Sequence, residues 1–328
     1  MFIEMVSRLF GSKLSAWKEL MKTSGLTEDA PADSTVLLWD GDILVATGSR
    51  TKNIIKYLAV SKDRQGEDLL STVITELRKD AFESGYRHLF LYTKPSNKYI
   101  FSSLFFYPIA ETDDVLFMEN KQGGIDEFIK KLPQGNKDET TGALVMNCNP
   151  FTLGHRYVIE KAAMECDRVF VFVLSEDGDG FAPRHRLEMV RLGVADLTNV
   201  TVLETGPYLI SSATFPTYFL KNRDSADTVV CDVDIEIFTK YFAPRLCINR
   251  RYVGTEPTSP MTEKYNIALG NKLPLAGIEF RVIERKTEDG VAISASLVRK
   301  LLKEGNYEPI KKLVPQTTFD YIMNNKLI

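Results

Sequence analysis

Gly142–Met164 reads GALVMNCNPFTLGHRYVIEKAAM, and its pattern changes twice. Ala143-Leu144-Val145-Met146 is an apolar run of strand length. Asn147-Cys148-Asn149-Pro150 is polar and turn-forming. From His155 onward Tyr157, Val158, Ala162 and Ala163 share one side of a helix, with Arg156, Glu160 and Lys161 largely on the other. This is strand, tight turn, helix. In an open parallel sheet, ligands bind at the carboxyl ends of the strands. The new helix points free N–H groups and its positive dipole end into that crevice, which suits phosphate. Gly154 lets the backbone approach a ligand closely. His155 adds a side-chain donor at the same point.

The chain after this stretch alternates strands and helices. Val169–Leu174 is nearly all apolar, as a parallel strand covered on both faces should be. A helix over Arg184–Leu197 and a strand over Val200–Leu203 follow. Tyr208–Thr217 is irregular. A strand is expected over Thr228–Val233, running into a helix from Asp234, and another over Cys247–Gly254. A helix near Met261–Asn271 precedes a strand at Glu279–Ile283. Three helical segments close the chain: Ser294–Leu302, Glu308–Leu313 and Thr318–Asn325. Repeated βα units predict the α/β class, with a Rossmann-like doubly wound parallel sheet.

The first half reads differently. Residues 1 to about 30 show helical spacing of Leu9, Phe10, Leu14, Trp17, Leu20 and Met21. Thr35–Trp39, Asp40-Gly41 and Ile43–Thr47 form a hairpin signal. A strand at Ile54–Val60, a long helix over Leu69–Ser84 closed by Gly85, and a strand at His88–Tyr92 come next. A short helix near Lys98–Leu104 and strands around Phe105–Pro108 and Val115–Met118 complete an α+β unit. Ile125–Leu132 reads as a connecting helix. Pro133–Thr141 is polar and rich in turn formers. The expected domains are therefore 1–132, a linker at 133–141, and 142–328.

With 328 residues, two cores are the sensible expectation. The net charge of −3 supplies no basic field for nucleic acid. No apolar run approaches the roughly 20 residues that span a bilayer. The start, MFIEMVSRLFGSKL, carries Glu4 and no long apolar stretch, so it does not read as a secretory signal. Cys148, Cys166, Cys231 and Cys247 show no C-x-x-C spacing and read as buried free thiols of a cytoplasmic protein. No metal cluster is expected. The histidines are His88, His155 and His185.

Thr152-Leu153-Gly154-His155 resembles the H/T-x-G-H signature of the nucleotidyltransferase superfamily. Ile293-Ser294-Ala295-Ser296-Leu297-Val298-Arg299 resembles that superfamily's I-S-x-[ST]-x-[IV]-R signature. The resemblance implies in-line attack on the α-phosphate of ATP. Negative charge then grows on the α-phosphate and on departing pyrophosphate, so the protein's work is positioning and charge stabilisation. His155, Thr152 and Arg299 are the expected catalytic residues. Asn149, Phe151, Gly154, Ser294, Ser296 and Arg184 are expected to bind ATP, and Mg2+ to accompany it on phosphate oxygens and water.

These residues have structural readings too. Ser294 caps a helix as well as facing phosphate. Arg184, His185 and Arg186 sit at a helix start, where cations oppose the dipole; anion contact and a solvated surface run are both open. Asp232 and Asp234 read as a strand end and helix cap, Asn147 and Asn149 as turn residues. Phe151, Tyr208 and Phe215 suit either core or pocket.

The first half is similar to GNAT-type acetyltransferases, including Ser103–Pro108. In that family a Q/R-x-x-G-x-G/A turn holds the pyrophosphate of coenzyme A. Aligning Gly66 on its first glycine puts Asp63 and Asp68 at the other positions, where carboxylates repel phosphate. An acetyl-CoA site and a docking role are both open.

A GNAT-like domain followed by a T-x-G-H domain resembles the citrate lyase ligase family over essentially the whole chain. Asn149–His155, Arg251–Pro257, Pro274–Glu279, Ile293–Arg299 and His88–Pro95 carry the resemblance. It implies that acetate and ATP give acetyl-adenylate and pyrophosphate. The acetyl group then passes to the thiol of the coenzyme A-like prosthetic group on the acyl carrier (gamma) subunit of citrate lyase. Nucleic acid and membrane are not expected as partners. Two other readings share the sequence signals: an adenylyltransferase of cofactor synthesis, acting on nicotinamide mononucleotide or phosphopantetheine, and a non-catalytic nucleotide sensor.

Overall fold

The computed structural model describes residues 1–28, 30–176, 180–209, 216–220, 226–255, 260–284, 287–288 and 291–327. It divides into two units, Met1–Ile125 with Phe215–Val229, and Asp126–Thr214 with Val230–Ile328.

The first unit is α+β, built on a seven-stranded mixed sheet. In chain order its strands are β1 (Phe2–Val6), β2 (Ser34–Asp40), β3 (Ile43–Thr51), β4 (Ile54–Val60), β5 (Phe90–Thr93), β6 (Tyr107–Glu111) and β7 (Leu116–Glu119), and its helices α1 (Gly11–Thr23), α2 (Leu69–Glu83) and α3 (Lys98–Ser103). The sheet order is β1-β2-β3-β4-β5-β7-β6. The helical expectation for residues 1–30 holds only for α1. Phe2–Val6 pairs along its whole length with Thr35–Trp39, and ladder hydrogen bonds outweigh the helical spacing there. Trp17, Leu20 and Met21 bury one face of α1. Leu69, Val73, Ile74, Leu77 and Ala81 do the same for α2.

β4 and β5 are parallel but pair only at Ile54–Phe90 and Ile55–Leu91. Tyr57, at φ +57°, and a register shift against β3 turn β4 away from its neighbour. A cavity of about 800 Å³ opens there, lined in part by Leu58, Val60, Tyr92, Thr93, Asn97 and Phe219. Phe219 and Tyr218 arrive from far along the chain. Tyr218 Oη donates to the Tyr92 carbonyl (3.1 Å), and its own carbonyl accepts from Thr27 N–H (2.9 Å).

The second unit is a five-stranded, all-parallel, doubly wound sheet in the order β10-β9-β8-β11-β12. Its elements are α4 (Gly124–Lys131), which begins at the unit boundary, β8 (Thr141–Met146), α5 (Leu153–Glu165), β9 (Arg168–Val173), α6 (Pro183–Gly193), β10 (Val200–Glu204), α7 (Ala226–Ile237), α8 (Ala243–Leu246), β11 (Arg250–Gly254), α9 (Pro260–Lys272), β12 (Glu279–Ile283), α10 (Ala295–Lys303) and α11 (Gln316–Asn324). Val169 to Val173 are at most 1% exposed, so β9 is covered on both faces. The strand order reverses between β8 and β11, which pair only through Arg250–Gly142 and Arg251–Ala143. Their carboxyl ends part, and a crevice of about 290 Å³ lies there.

The expected strand at Thr228–Val233 is instead the middle of α7. A short apolar run fits either period, and flanking turns decide it. Asp232 and Asp234 accordingly lie inside a helix, not at a strand end or cap. The strand expected from Cys247 starts at Arg250. Cys247 ends α8 in the left-handed region, at φ +52°, and is half-buried, unlike the other three cysteines.

Candidate active site

Thr152 begins α5 with an extended backbone and a side chain that is 1% exposed. Its hydroxyl oxygen accepts from His155 N–H (3.3 Å), while Thr152 N–H donates to His155 Nδ1 (3.1 Å). This reciprocal cap uses histidine where glutamate is usual. It also settles the ring's chemistry. Nδ1 is an acceptor, so in the neutral imidazole the proton sits on Nε2, which is thus a donor suited to a phosphate oxygen.

Leu153 N–H donates to the Leu313 carbonyl (2.9 Å), so two of the first-turn amides of α5 serve the protein. The amide of Gly154 lies between them on the crevice wall. A Cβ at Gly154 would meet Thr152 Oγ1 at 3.5 Å and Ile293 at 3.6 Å, ordinary contacts. Packing and backbone strain therefore do not demand glycine here.

Thr152, Gly154 and His155 line the crevice together with Asn147, Val253, Tyr265 and Ile293. Beside it, Arg299 Nη1 donates to the Asn149 carbonyl, and Nη2 donates to Ser296 Oγ (3.2 Å). The fold thus brings the two sequence signatures together: Ile293 lies beside Gly154, and Arg299 reaches Asn149, three residues before Thr152. Asn149 Oδ1 also accepts from Phe181 N–H (2.9 Å). Gly180 permits this approach: its φ is +105°, and a Cβ there would come within 2.6 Å of Asn149 Oδ1.

Ser296 is exposed at the start of α10. Ser294 occupies the N-cap position without a side-chain capping bond, so the expected hydroxyl cap is not formed. Phe151, expected among the ATP-binding residues, turns its side chain into the core. Its side chain is fully buried, and α6 packs so tightly on the ring that a Cβ at Gly193 would come within 2.4 Å. Arg184 is exposed at the start of α6, and its Nε donates to His185 Nε2 (3.3 Å). Arg186 is no surface cation. It is 2% exposed and donates to the carbonyls of Asn147 and Glu176, clamping the loops after β8 and β9. Tyr208 is core, at 1% exposure. Phe215, Glu256 and Pro257 lie outside the described residues, as do 177–179.

Cys148 follows Asn147 at φ +50° and is fully buried. Burial pushes its thiol far above the usual range, which removes it as a nucleophile. Sequence reasoning did not single out Tyr265 or Asn266, which line the crevice from α9. Their helix follows the β11 loop, and that position past a parallel strand's end was the available signal.

Residues 141–322 match the model of the citrate lyase ligase C-terminal domain. The citrate (pro-3S)-lyase ligase of Klebsiella pneumoniae is 36% identical over 91% of this chain and 89% of its own length. The chain belongs to the citrate lyase ligase family. Other citrate lyase ligases agree: that of Haemophilus influenzae is 36% identical over 94% of this chain and 95% of its own, and that of Escherichia coli K12 is 35% identical over 97% and 93%. Solved structures overlap the chain more slightly. Escherichia coli ElaA covers 37% of it at TM-score 0.31 and 17% identity. Thermotoga maritima TmcAL bound with α-thio-ATP covers 57% at TM-score 0.34 and 15% identity. Overlaps of that size bear on neither fold nor ligand.

Proposed function

We propose that this chain is an ATP-dependent acetate:citrate lyase acyl carrier ligase working in the cytoplasm. A carboxylate oxygen of acetate attacks the α-phosphorus of ATP, and the bond to the β-phosphate oxygen breaks. The products are acetyl-adenylate and pyrophosphate. The prosthetic thiol of the carrier then takes the acetyl group as its thioester, with release of AMP and a proton. Family membership supports the reaction. The observation that carries the site is the crevice at the strand-order reversal, where Gly154 and the capped His155 meet the Ile293–Arg299 segment.

In this reading His155 Nε2 and the Gly154 amide donate to the phosphates nearest the reacting bond. Arg299 and Ser296 take the charge that grows on pyrophosphate, with Asn149 holding Arg299 in place. Among the described residues no group of three His, Cys, Asp or Glu side chains could hold a metal. Mg2+ would therefore enter on ATP's own oxygens, where it neutralises triphosphate charge.

The cavity of the first unit suits the carrier's arm. Lys62, Lys94, Glu67 and Asp68 all line the cavity, while Arg64, in the same turn as Lys62, is held by Asp40 (2.6 Å) and Glu67 (2.6 Å) and so offers little to the phosphates of free coenzyme A. The uncharged amide segment that leads to the arm's thiol needs no such cation. Ile100 lines the cavity and is 46% exposed, so Ile100→Trp can narrow it without unfolding the unit.

The test is pyrophosphate release from Mg-ATP with acetate, other short acids, nicotinamide mononucleotide and phosphopantetheine offered in turn, and deacetylated citrate lyase as thiol acceptor. Acetate-dependent release, lost in His155→Ala, is expected. Ile100→Trp should keep release and slow acetyl transfer. Release driven only by a phosphorylated acceptor would overturn the ligase reading.

A further inference from the structure

Arg251, in the middle of β11, is 1% exposed. Its guanidinium lies over the Phe238 ring, 4.4 Å from the centroid. Its Nε and Nη1 are sealed from solvent and meet no acceptor among the described residues. A guanidinium cannot shed its charge. An unpaired cation is among the costliest groups to bury, so this one calls for a ligand.

The nearby carboxylate does not supply it. Asp234, on α7, is close enough for its charge to be felt but accepts from Tyr265 Oη instead (2.5 Å). The Tyr265 ring lines the crevice that holds Gly154 and His155. So does Val253, two residues beyond Arg251 on the same face of β11. Arg251 therefore sits one side-chain layer beneath the crevice wall, behind Val253 and Tyr265.

We propose that Arg251 is the anchor for the acid substrate: a small monocarboxylate passes Val253 and Tyr265 and takes the vacant guanidinium N–H groups. One carboxylate oxygen is held there, and the other is left to face the α-phosphate near His155. With Arg251 only two residues from Val253 on the strand, the site favours a short acid. Burial pushes the Asp234 carboxyl up, which lessens like-charge repulsion of the incoming anion. Tyr265, tied to Asp234, positions the wall.

This inference rests on the ligase reading, and the experiment separates the two. Wild-type enzyme must first show acetate-dependent pyrophosphate release; without it, the ligase reading itself fails. Acetate and ATP are then titrated separately for Arg251→Lys and Tyr265→Phe, with melting temperatures read in parallel. Losing a charged hydrogen bond corresponds to about 10–100-fold. Arg251→Lys should raise the KM for acetate by that factor and leave the KM for ATP within about twofold. Acetate-induced stabilisation of the fold should vanish while ATP-induced stabilisation persists. Tyr265→Phe should shift acetate KM several-fold and broaden the acid chain lengths accepted; it carries the test if Arg251→Lys does not fold. An unchanged acetate KM, or equal loss for both substrates, would overturn the proposal.

Discussion

Arg299 donates from Nη1 to the main-chain carbonyl of Asn149, across 150 positions of sequence. One side chain thus fixes the loop after β8 and, through Ser296, the start of α10. Arg299→Lys keeps the charge but cannot donate in both directions from a planar fork. Its pyrophosphate release is expected to fall roughly 10²–10³-fold, with a smaller loss of melting temperature. Equal rates for wild type and Arg299→Lys would remove Arg299 from the transition state.

Gly154 and Gly193 should respond oppositely to alanine. At 154 a Cβ meets only ordinary contacts, within a helix, so Gly154→Ala is expected to fold with up to about 1 kcal/mol of added stability. Its ATP affinity should collapse. Gly193→Ala overpacks the Phe151 ring and should cost about 1–3 kcal/mol while the surviving folded enzyme still turns over. Denaturant melts and ATP titrations on both variants read the contrast.

Thr152→Ala removes the cap hydroxyl and should cost about 0.5–2 kcal/mol. It also frees one side of the His155 ring, so the rate should fall beyond what instability explains. Thr152→Ser keeps the oxygen and should restore both. A serine variant as slow as the alanine variant would count against the cap as the ring's support.

Asp234 predicts a pH trend. Burial raises its folded pKa above the unfolded value. A raised carboxyl gives stability that is full below the unfolded pKa, about 3.9, and lost as pH rises through the folded pKa. Asp234→Asn lacks that loss and can still accept from Tyr265. The melting temperature of the variant minus that of wild type should therefore grow from pH 4 upward and then level off. A difference independent of pH would show that Asp234 does not titrate this way.

Much of the second unit is legible in its sequence. The unbroken apolar run at Val169–Val173, rich in β-branched and aromatic residues, suits a doubly covered strand, and Thr152–His155 and Ile293–Arg299 stand in the expected order. The packing of the Phe151 ring is not legible, because an aromatic residue in a glycine-containing loop looks the same in sequence whether it faces a crevice or, as here, Gly193. The Val229–Val233 segment fits either period, and only its packing decides. Arg251 does leave a trace: a charge within a strand of a parallel sheet should be solvent-free, and such a residue needs a reason. That Tyr218 belongs to the first unit is a contact spanning most of the sequence, which no local pattern encodes.

Residues 215–229 tie the ancestry of the two units together. The chain leaves the parallel sheet after β10, supplies Tyr218 and Phe219 to the first unit, and returns within α7. No single crossover in the gene can therefore exchange one unit as a module. A recombinant joined near residue 125 would inherit a first unit from one parent and its Tyr218 from the other. Tyr57, whose ring packs on that of Tyr218, should change in step with the β10–α7 segment, although a third of the protein or more lies between them in sequence.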